Sequence, residues 1–468
     1  MALPRIALAL FLIAITAFAA LSPQDPFNSQ VITRAGLSLS LLEDSVSIDR
    51  FAPSTIDKAE KDGHFYADKV PGHSMLALPA TALARALTRS SDLDDDGYPT
   101  LVRIATIGTN GLISALAVVA VFLTAVRLGA GTAGALFGSL TLALATPFLG
   151  WSTAFFAHSV TGSLLIIALA IAVAGLLPGT GWPRRHQLLW AAMLGLILGF
   201  TLVVDLTAAP VVAVGGLLTA VLLLRRAGTR AAPRILALTV GGLAGLAPLP
   251  IYNLAAFGSP FTLGYSSVVG FEGMHEGLFG VTLPSLAVMY ELLFGLYRGL
   301  LPLSPILLLV PLGLTRMWAR PATQVLAGLI VFAALSYLLI NSSYHYWNGG
   351  WSTGPRHIVP MLPFLGLALC FAIPATQPMR IATGLLLAIS LVLSAVCALG
   401  GMYAPDKFRN ALTEWVFPQA MTPHNVGPAL TILLIWIAAG ALWLRTAPQP
   451  AHTPGIARPD VRAINPVV

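Results

Sequence analysis

The sequence predicts an all-α polytopic membrane protein with about 12 transmembrane helices, in a range of about 11 to 13, and three observations carry that expectation. Of its 468 residues, 56% are hydrophobic and only 10% charged, where a soluble domain carries about 25%. Its mean hydropathy is +0.82. Uncharged apolar runs of about 18 residues or more, the length that crosses a bilayer, follow one another with short polar breaks. The 43 glycines and 34 prolines suit the interior of a helical bundle, where small residues and helix breaks are tolerated. Cys370 and Cys397 both lie in apolar runs and cannot build a metal cluster or a disulfide framework. A pI near 9.6 would suggest nucleic acid in a soluble protein, but here the position of the basic residues matters more than their number, and no nucleic-acid partner is expected.

The candidate spans are, in order, 3-21, 101-126, 132-150, 155-177, 187-206, 208-224, 235-252, 299-315, 323-340, 358-374, 381-400 and 428-444. Charge sets their orientation. With the N-terminus cytoplasmic, the inner positions hold 14 of the 26 Lys and Arg residues and one acid, Asp460. Every short inner connection then carries arginine, as the positive-inside rule requires. The stretches Met75 to Leu87 and Leu286 to Leu296 are too short to span at about 1.5 Å per residue and read as interfacial or re-entrant helices. The first run has a second reading, because Arg5, a short apolar core and Ala17-Phe18-Ala19 follow the pattern of a cleavable signal peptide. Under either reading, residue 22 begins on the outer side.

Residues 1-445 form one membrane domain, and 446-468, rich in Pro and Ala, form a disordered cytoplasmic tail. No internal repeat is visible. The first outer loop, 22-100, holds 12 of the 19 acids and is where chemistry is expected. Within it Val31, Ala35, Leu39 and Leu42 recur at helical spacing, which predicts an amphipathic helix lying on the membrane surface. Further outer loops run over 253-298, 341-357 and 401-427.

Two constellations carry the candidate chemistry. The first runs from Ser47 to His73 and sets Asp49, Asp57, Asp68, Lys69 and His73 beside Phe65 and Tyr66. A carboxylate there can deprotonate a hydroxyl and a lysine can hold an anion, and Lys69-Val70-Pro71-Gly72 leads directly into the short helix at headgroup level. The second is the loop from Tyr344 to His357, with His345, Trp347, Trp351 and His357 around Gly349-Gly350 and Gly354-Pro355. Arg356 at the mouth of the next span can pair bidentately with a phosphate, and Arg298 and Arg103 sit similarly at outer span ends. Interfacial anchoring explains some of these aromatics and arginines equally well. Asp92, Asp94 and Asp96 with Gly97 match the first half of a calcium loop, but Arg103 stands where the bidentate glutamate belongs. They remain a weak candidate for a divalent metal, and no cofactor is otherwise expected. Asp205 is the acid nearest a span interior, and His158 reads as a packing residue.

The order of a span, a long acidic outer loop, Tyr66-Ala67-Asp68-Lys69-Val70-Pro71, an interfacial helix and an arginine opening the next span resembles the GT-C membrane glycosyltransferases. More narrowly, it is similar to the bacterial relatives of protein O-mannosyltransferases and of the lipid A aminoarabinose transferase. Asn348 to Arg356 is similar to a late outer loop of the bacterial members, and Phe257-Gly258-Ser259-Pro260-Phe261 and Tyr297-Arg298-Gly299-Leu300 look familiar from them. The resemblance implies transfer of a sugar from a polyprenyl-phosphate donor to a lipid, glycan or protein acceptor on the outer face of the bacterial inner membrane. Those relatives place an Asp-Glu pair directly after the first span, where this chain has Asn28-Ser29. The base is therefore expected elsewhere, at Asp49 or Asp57. Lys69 and Arg356 would hold the departing phosphate, and His345, Trp347 and Trp351 would line the sugar or acceptor side.

Two rivals come from other classes. A secondary transporter would put its sites near the bilayer midplane, often with repeated halves, and charge is scarce there in this sequence. An O-antigen polymerase or ligase carries its large outer loop later in the chain.

Overall fold

The computed structural model describes residues 2–23, 27–176 and 184–446. The predicted tail at 446-468 lies outside the described residues but for Thr446, which ends the last helix. The chain is overwhelmingly helical: α1 (Leu3–Ala20), α2 (Ser29–Leu41), a hairpin of β1 (Lys58–Lys61) and β2 (His64–Ala67), then α3 (Gly72–Leu76) and α4 (Leu78–Thr88). There follow α5 (Tyr98–Arg127), α6 (Gly131–Leu144), α7 (Ala157–Leu176), α8 (Arg184–Val204), α9 (Ala209–Ala227), α10 (Ala232–Leu246) and α11 (Pro248–Phe257). Then come α12 (Leu286–Phe294), α13 (Pro305–Trp318), α14 (Pro321–Ser342), α15 (Arg356–Leu369), α16 (Gln377–Gly400) and α17 (Val426–Thr446), with single helical turns between some of them.

Among the described residues, 8 helical segments are long and apolar enough to cross a membrane, so the chain is a multi-pass membrane protein. One of them, Leu206–Phe257, is 52 residues long, far more than one crossing needs, and turns back at Gly228 (φ 52°) among exposed Arg225, Arg226 and Arg230. Helices α6, α13 and α15 coincide with three further predicted runs but are shorter than that length. Prolines stand at these breaks: Pro147 lies just past α6, Pro305 opens α13 and Pro374 lies just past α15. Helix α15 is buried along nearly its whole length, so it belongs to the core of the bundle.

One close helix crossing has a visible cause. A Cβ on Gly195 or Gly199 of α8 would collide with the α10 carbonyls of Leu238 and Gly242, and one on Gly241 or Gly245 would collide with Ala192 and Leu196 of α8. The two glycine pairs, each four apart, let the backbones touch.

Two expectations are corrected. Helix α2 does not lie on a surface: every residue from Gln30 to Ser40 is buried. Two of its hydroxyls are satisfied by protein, since Thr33 donates to the Asp57 carbonyl (2.6 Å) and Ser38 to the Ser74 carbonyl (3.0 Å). The 22-100 loop also contains strand structure where only helices were expected. Asp62 and Gly63, both at positive φ (52° and 80°), make the two-residue turn that an Asp-Gly pair favours.

Candidate active site

The hairpin pairs Lys58 with Ala67 and Lys61 with His64, and its second strand delivers Asp68 and Lys69. Two contacts fix that exit. Val269 N–H donates to the Lys58 carbonyl (3.1 Å), tying the hairpin to the 264–282 segment. Gly72 meets the backbone of Val203 and Val204 so closely that a side chain would collide there, which seats α3 on the end of α8.

Asp68 and Lys69 open onto a cleft of about 660 Å³. The start of α2 contributes Asn28, Ser29 and Gln30, and the hairpin region contributes Asp57, Asp68 and Lys69. The strap at 264–282 adds Val268, Phe271 and Met274, the late loop adds Tyr344 to Trp351 with Arg356 and His357, and Asp406 closes the rim. Hydrogen bonds from Thr282 N–H to Ser343 O (2.8 Å) and from His345 N–H to Gly280 O (2.7 Å) sew the strap to the late loop.

The electrostatics are concentrated on the cleft floor. Lys69 Nζ is in contact with Asp68 Oδ2 and 3.7 Å from Asp57 Oδ1. Burial alone would lower the pKa of this ammonium, but the two carboxylates outweigh it and hold Lys69 above its ordinary value. Burial pushes the Asp57 carboxyl up, Lys69 opposes, the Asp68 charge adds to the rise, and the net shift is upward. Asp68 is fully buried, and its Oδ1 has no hydrogen-bond partner.

Arg356 has no acid within pairing distance among the described residues, and its guanidinium carbon lies 5.0 Å from the centre of the Phe156 ring. Its Nε lacks a partner. Beside it, His357 packs edge-on against Tyr344 (5.5 Å) and His158 (5.0 Å), and His158 Nδ1 lies 3.7 Å from Asp205.

Eight of the sequence-predicted residues thus share one cleft: Asp57, Asp68, Lys69, His345, Trp347, Trp351, Arg356 and His357. The others are placed elsewhere. Asp49 accepts from Phe65 N–H (2.6 Å) and pairs with His64 (2.8 Å) on the exposed side of the hairpin. Tyr66 packs on Phe257 with ring centres 5.3 Å apart. His73 is fully buried and bonded to Asn110 (2.9 Å). Arg298 is buried too, and its Nε and Nη2 donate to the carbonyls of Asn348 and Gly350, each at 3.0 Å. Arg103 reaches the Ala19 carbonyl (3.4 Å) at the end of α1. Asp92 lies 3.7 Å from Arg50, while Asp94 and Asp96 are exposed. No group of three His, Cys, Asp or Glu residues able to hold a metal occurs among the described residues.

Residues that the sequence did not single out also stand near this floor. Arg34 of α2 is 5% exposed, with Nε and Nη1 lacking partners, and it acts electrostatically on Asp68, Asp205 and Asp57. An arginine inside an otherwise apolar and hydroxyl-bearing helix was the available signal. Asn28 and Ser29, which follow the first span, also line the cleft.

No family model matches the sequence, and no curated protein matches it at a significant level. Solved structures do. The chain superposes on ArnT from Cupriavidus metallidurans bound to undecaprenyl phosphate with a TM-score of 0.53 and 16% identity, covering 95% of this chain and 76% of that one. For the apo form of the same protein the TM-score is 0.55 with 18% identity, covering 94% and 75%. The archaeal oligosaccharyltransferase AglB from Archaeoglobus fulgidus gives 0.47 with 14% identity, over 95% of this chain and 60% of that one. The chain therefore has the fold of the GT-C membrane glycosyltransferases.

Proposed function

We propose that this protein is an integral-membrane glycosyltransferase that moves a sugar from a polyprenyl-phosphate donor to a lipid, glycan or protein acceptor at the outer face of the bacterial inner membrane. In this reading all twelve apolar runs cross, both termini are cytoplasmic, and the cleft faces outward with its loops. The observation that carries it is the meeting, in one cleft, of a carboxylate with a raised pKa, Asp57, and the cations Lys69 and Arg356. The shared fold with a transferase captured with undecaprenyl phosphate supports the carrier.

The chemistry follows from these groups. An acceptor hydroxyl attacks the anomeric carbon, the bond from that carbon to the phosphate oxygen breaks, and Asp57 takes the hydroxyl proton. The leaving group departs as polyprenyl phosphate. A phosphate leaves without a general acid, unlike the alkoxide that obliges glycoside hydrolases to use two carboxylates. Arg356, unpaired, takes the greater share of the growing phosphate charge, and Lys69 contributes while opposing the upward shift of the Asp57 pKa. Trp347, Trp351 and His345 line the sugar or acceptor side. Metal dependence forms no step of this scheme.

The deciding experiment incubates purified protein in detergent with radiolabelled polyprenyl-phosphate sugars and an envelope extract as acceptor. Label transfer with release of polyprenyl phosphate is expected. Activity that needs sealed vesicles would point to a transporter, and activity only with pyrophosphate-linked oligosaccharide would point to a polymerase or ligase; either outcome sinks the proposal.

A further inference from the structure

Lys69 and Arg356 stand on different elements, one at the exit of the hairpin and one at the start of α15, nearly three hundred residues apart in sequence. A phosphate held between them needs their spacing fixed, yet they make no direct contact with each other. The connection runs underneath the cleft through Asn110. This residue is fully buried and lies in a π-helical turn, Ile107–Gly111, that interrupts α5. Such turns insert one residue into a helix and re-aim a side chain, and they occur frequently at functional sites.

Asn110 uses both ends of its amide. Its Nδ2 donates to the Phe156 carbonyl (2.7 Å) and lies 3.3 Å from Ser159 Oγ. Its Oδ1 therefore accepts, and the donor is His73 Nε2–H at 2.9 Å. His73 is held neutral: burial and the Arg34 charge lower its pKa to about 3, so this bond persists across the physiological range. On one side, His73 is the second residue of α3 and follows Lys69-Val70-Pro71-Gly72 directly. On the other, the Phe156 ring is the surface on which the Arg356 guanidinium rests. His73 also packs edge-on against Phe155 (4.6 Å), so both sides of the link meet the same short segment.

We infer that Asn110 is a positioning residue for the donor phosphate, setting the distance between Lys69 and Arg356 by bonding at once to His73 and to the Phe156 carbonyl. The inference rests on the reading of the Lys69 and Arg356 pair as the phosphate seat. A buried amide in this role is costly to replace, since an apolar substitute leaves both the Phe156 carbonyl and His73 Nε2–H unpaired.

Binding of undecaprenyl phosphate to the purified full chain in detergent micelles tests it, with thermal unfolding followed in parallel. Asn110→Ala should weaken binding about tenfold or more, because a small misplacement of charged groups carries such a cost. In a Lys69→Ala or Arg356→Ala background the same change should cost under about threefold, since the geometry it maintains serves that pair. A purely structural role would instead add in full in both backgrounds. His73→Leu should weaken binding as Asn110→Ala does, whereas His73→Gln, which keeps an N–H for Asn110 Oδ1, should stay within about threefold of the unmodified protein. If Asn110→Ala does not fold, the two His73 variants decide. Unchanged affinity in folded Asn110→Ala, full additivity, or equal losses in His73→Leu and His73→Gln overturn the inference. Unchanged affinity in both Lys69→Ala and Arg356→Ala overturns the phosphate seat itself, and the inference with it.

Discussion

The Asp57 carboxylate stands 3.7 Å from the Lys69 ammonium, which at the same time touches Asp68. One cation thus faces two acids of different burial. Both line the cleft, but the Asp68 side chain is fully buried whereas 11% of the Asp57 side chain is exposed. In the proposed reaction Asp57 is therefore the carboxylate assigned to the acceptor hydroxyl, and Asp68 the one assigned to holding Lys69 in place.

Asp57→Asn should lower kcat by about 10²- to 10⁴-fold, the usual contribution of a general base, with undecaprenyl phosphate binding retained. Asp49→Asn should leave kcat within a few-fold, since that carboxylate accepts from Phe65 N–H and pairs with His64 away from the cleft. Thermal unfolding of Asp49→Asn should fall by a few degrees instead. Turnover assays on both variants check the pair, and a large kcat loss confined to Asp49→Asn would reverse the assignment.

The pH dependence has a defined sign. A raised pKa on Asp57 places the acid limb of kcat above the ordinary carboxylate range, and activity is lost as pH falls through it. Stability moves the other way. A carboxyl whose folded pKa is raised stabilises the fold fully below its unfolded value and loses that contribution as pH rises through the folded one. At saturating donor, Lys69→Met should move the acid limb to higher pH, because the ammonium is the largest influence opposing the rise. A limb that stays in place, or moves down, would exclude Asp57 as the titrating group.

Arg298 acts through the turn it holds. Its guanidinium is spent on the carbonyls of Asn348 and Gly350, and between them Gly349 (φ 75°) faces the Arg356 side chain. A Cβ on Gly349 would lie 3.0 Å from Arg356 Nε and 3.1 Å from its Cγ. Gly349→Ala should therefore both strain the turn, by about 1 kcal/mol or more, and displace Arg356. Expected are a donor KM raised about tenfold and a smaller change in kcat, measured by steady-state kinetics. Arg298→Lys should show the same pattern more weakly, since an ammonium cannot reproduce the fork.

Gly199→Leu or Gly245→Leu should separate α8 from α10, whose carbonyls leave no room for a side chain. Thermal unfolding in detergent should drop sharply for either variant. Gly215→Leu, at a position with open space around its Cα, serves as the comparison and should unfold close to the unmodified protein.

Much of this protein was legible in its sequence for reasons that can be named. Long uncharged runs have one stable solution in a bilayer, the helix, and those runs coincide with the helices found. The cleft drew residues from both predicted constellations. The hairpin was missed although its signal was local, since Asp62-Gly63 is a two-residue hairpin turn pair. Helix α2 was misplaced because apolar periodicity reports a face without saying what covers the opposite one. Here Thr33, Arg34 and Ser38 find protein partners or lie buried where water was expected.

By itself the sequence determined the membrane-embedded helical class and the two loops that meet at the cleft, because hydropathy and turn chemistry act over a few neighbouring residues. Only the tertiary structure decided which charges share a space. Asp49 and Asp57 are indistinguishable in a list of acids of the 22-100 loop, and Arg298 and Arg356 in a list of arginines at span ends. Folding buried Asp57 beside Lys69 and left Asp49 on the outside of a hairpin. It tied Arg298 to backbone carbonyls and left Arg356 unpaired on Phe156. Burial and the distance to an opposite charge set what an ionisable group does, and both depend on residues far apart along the chain.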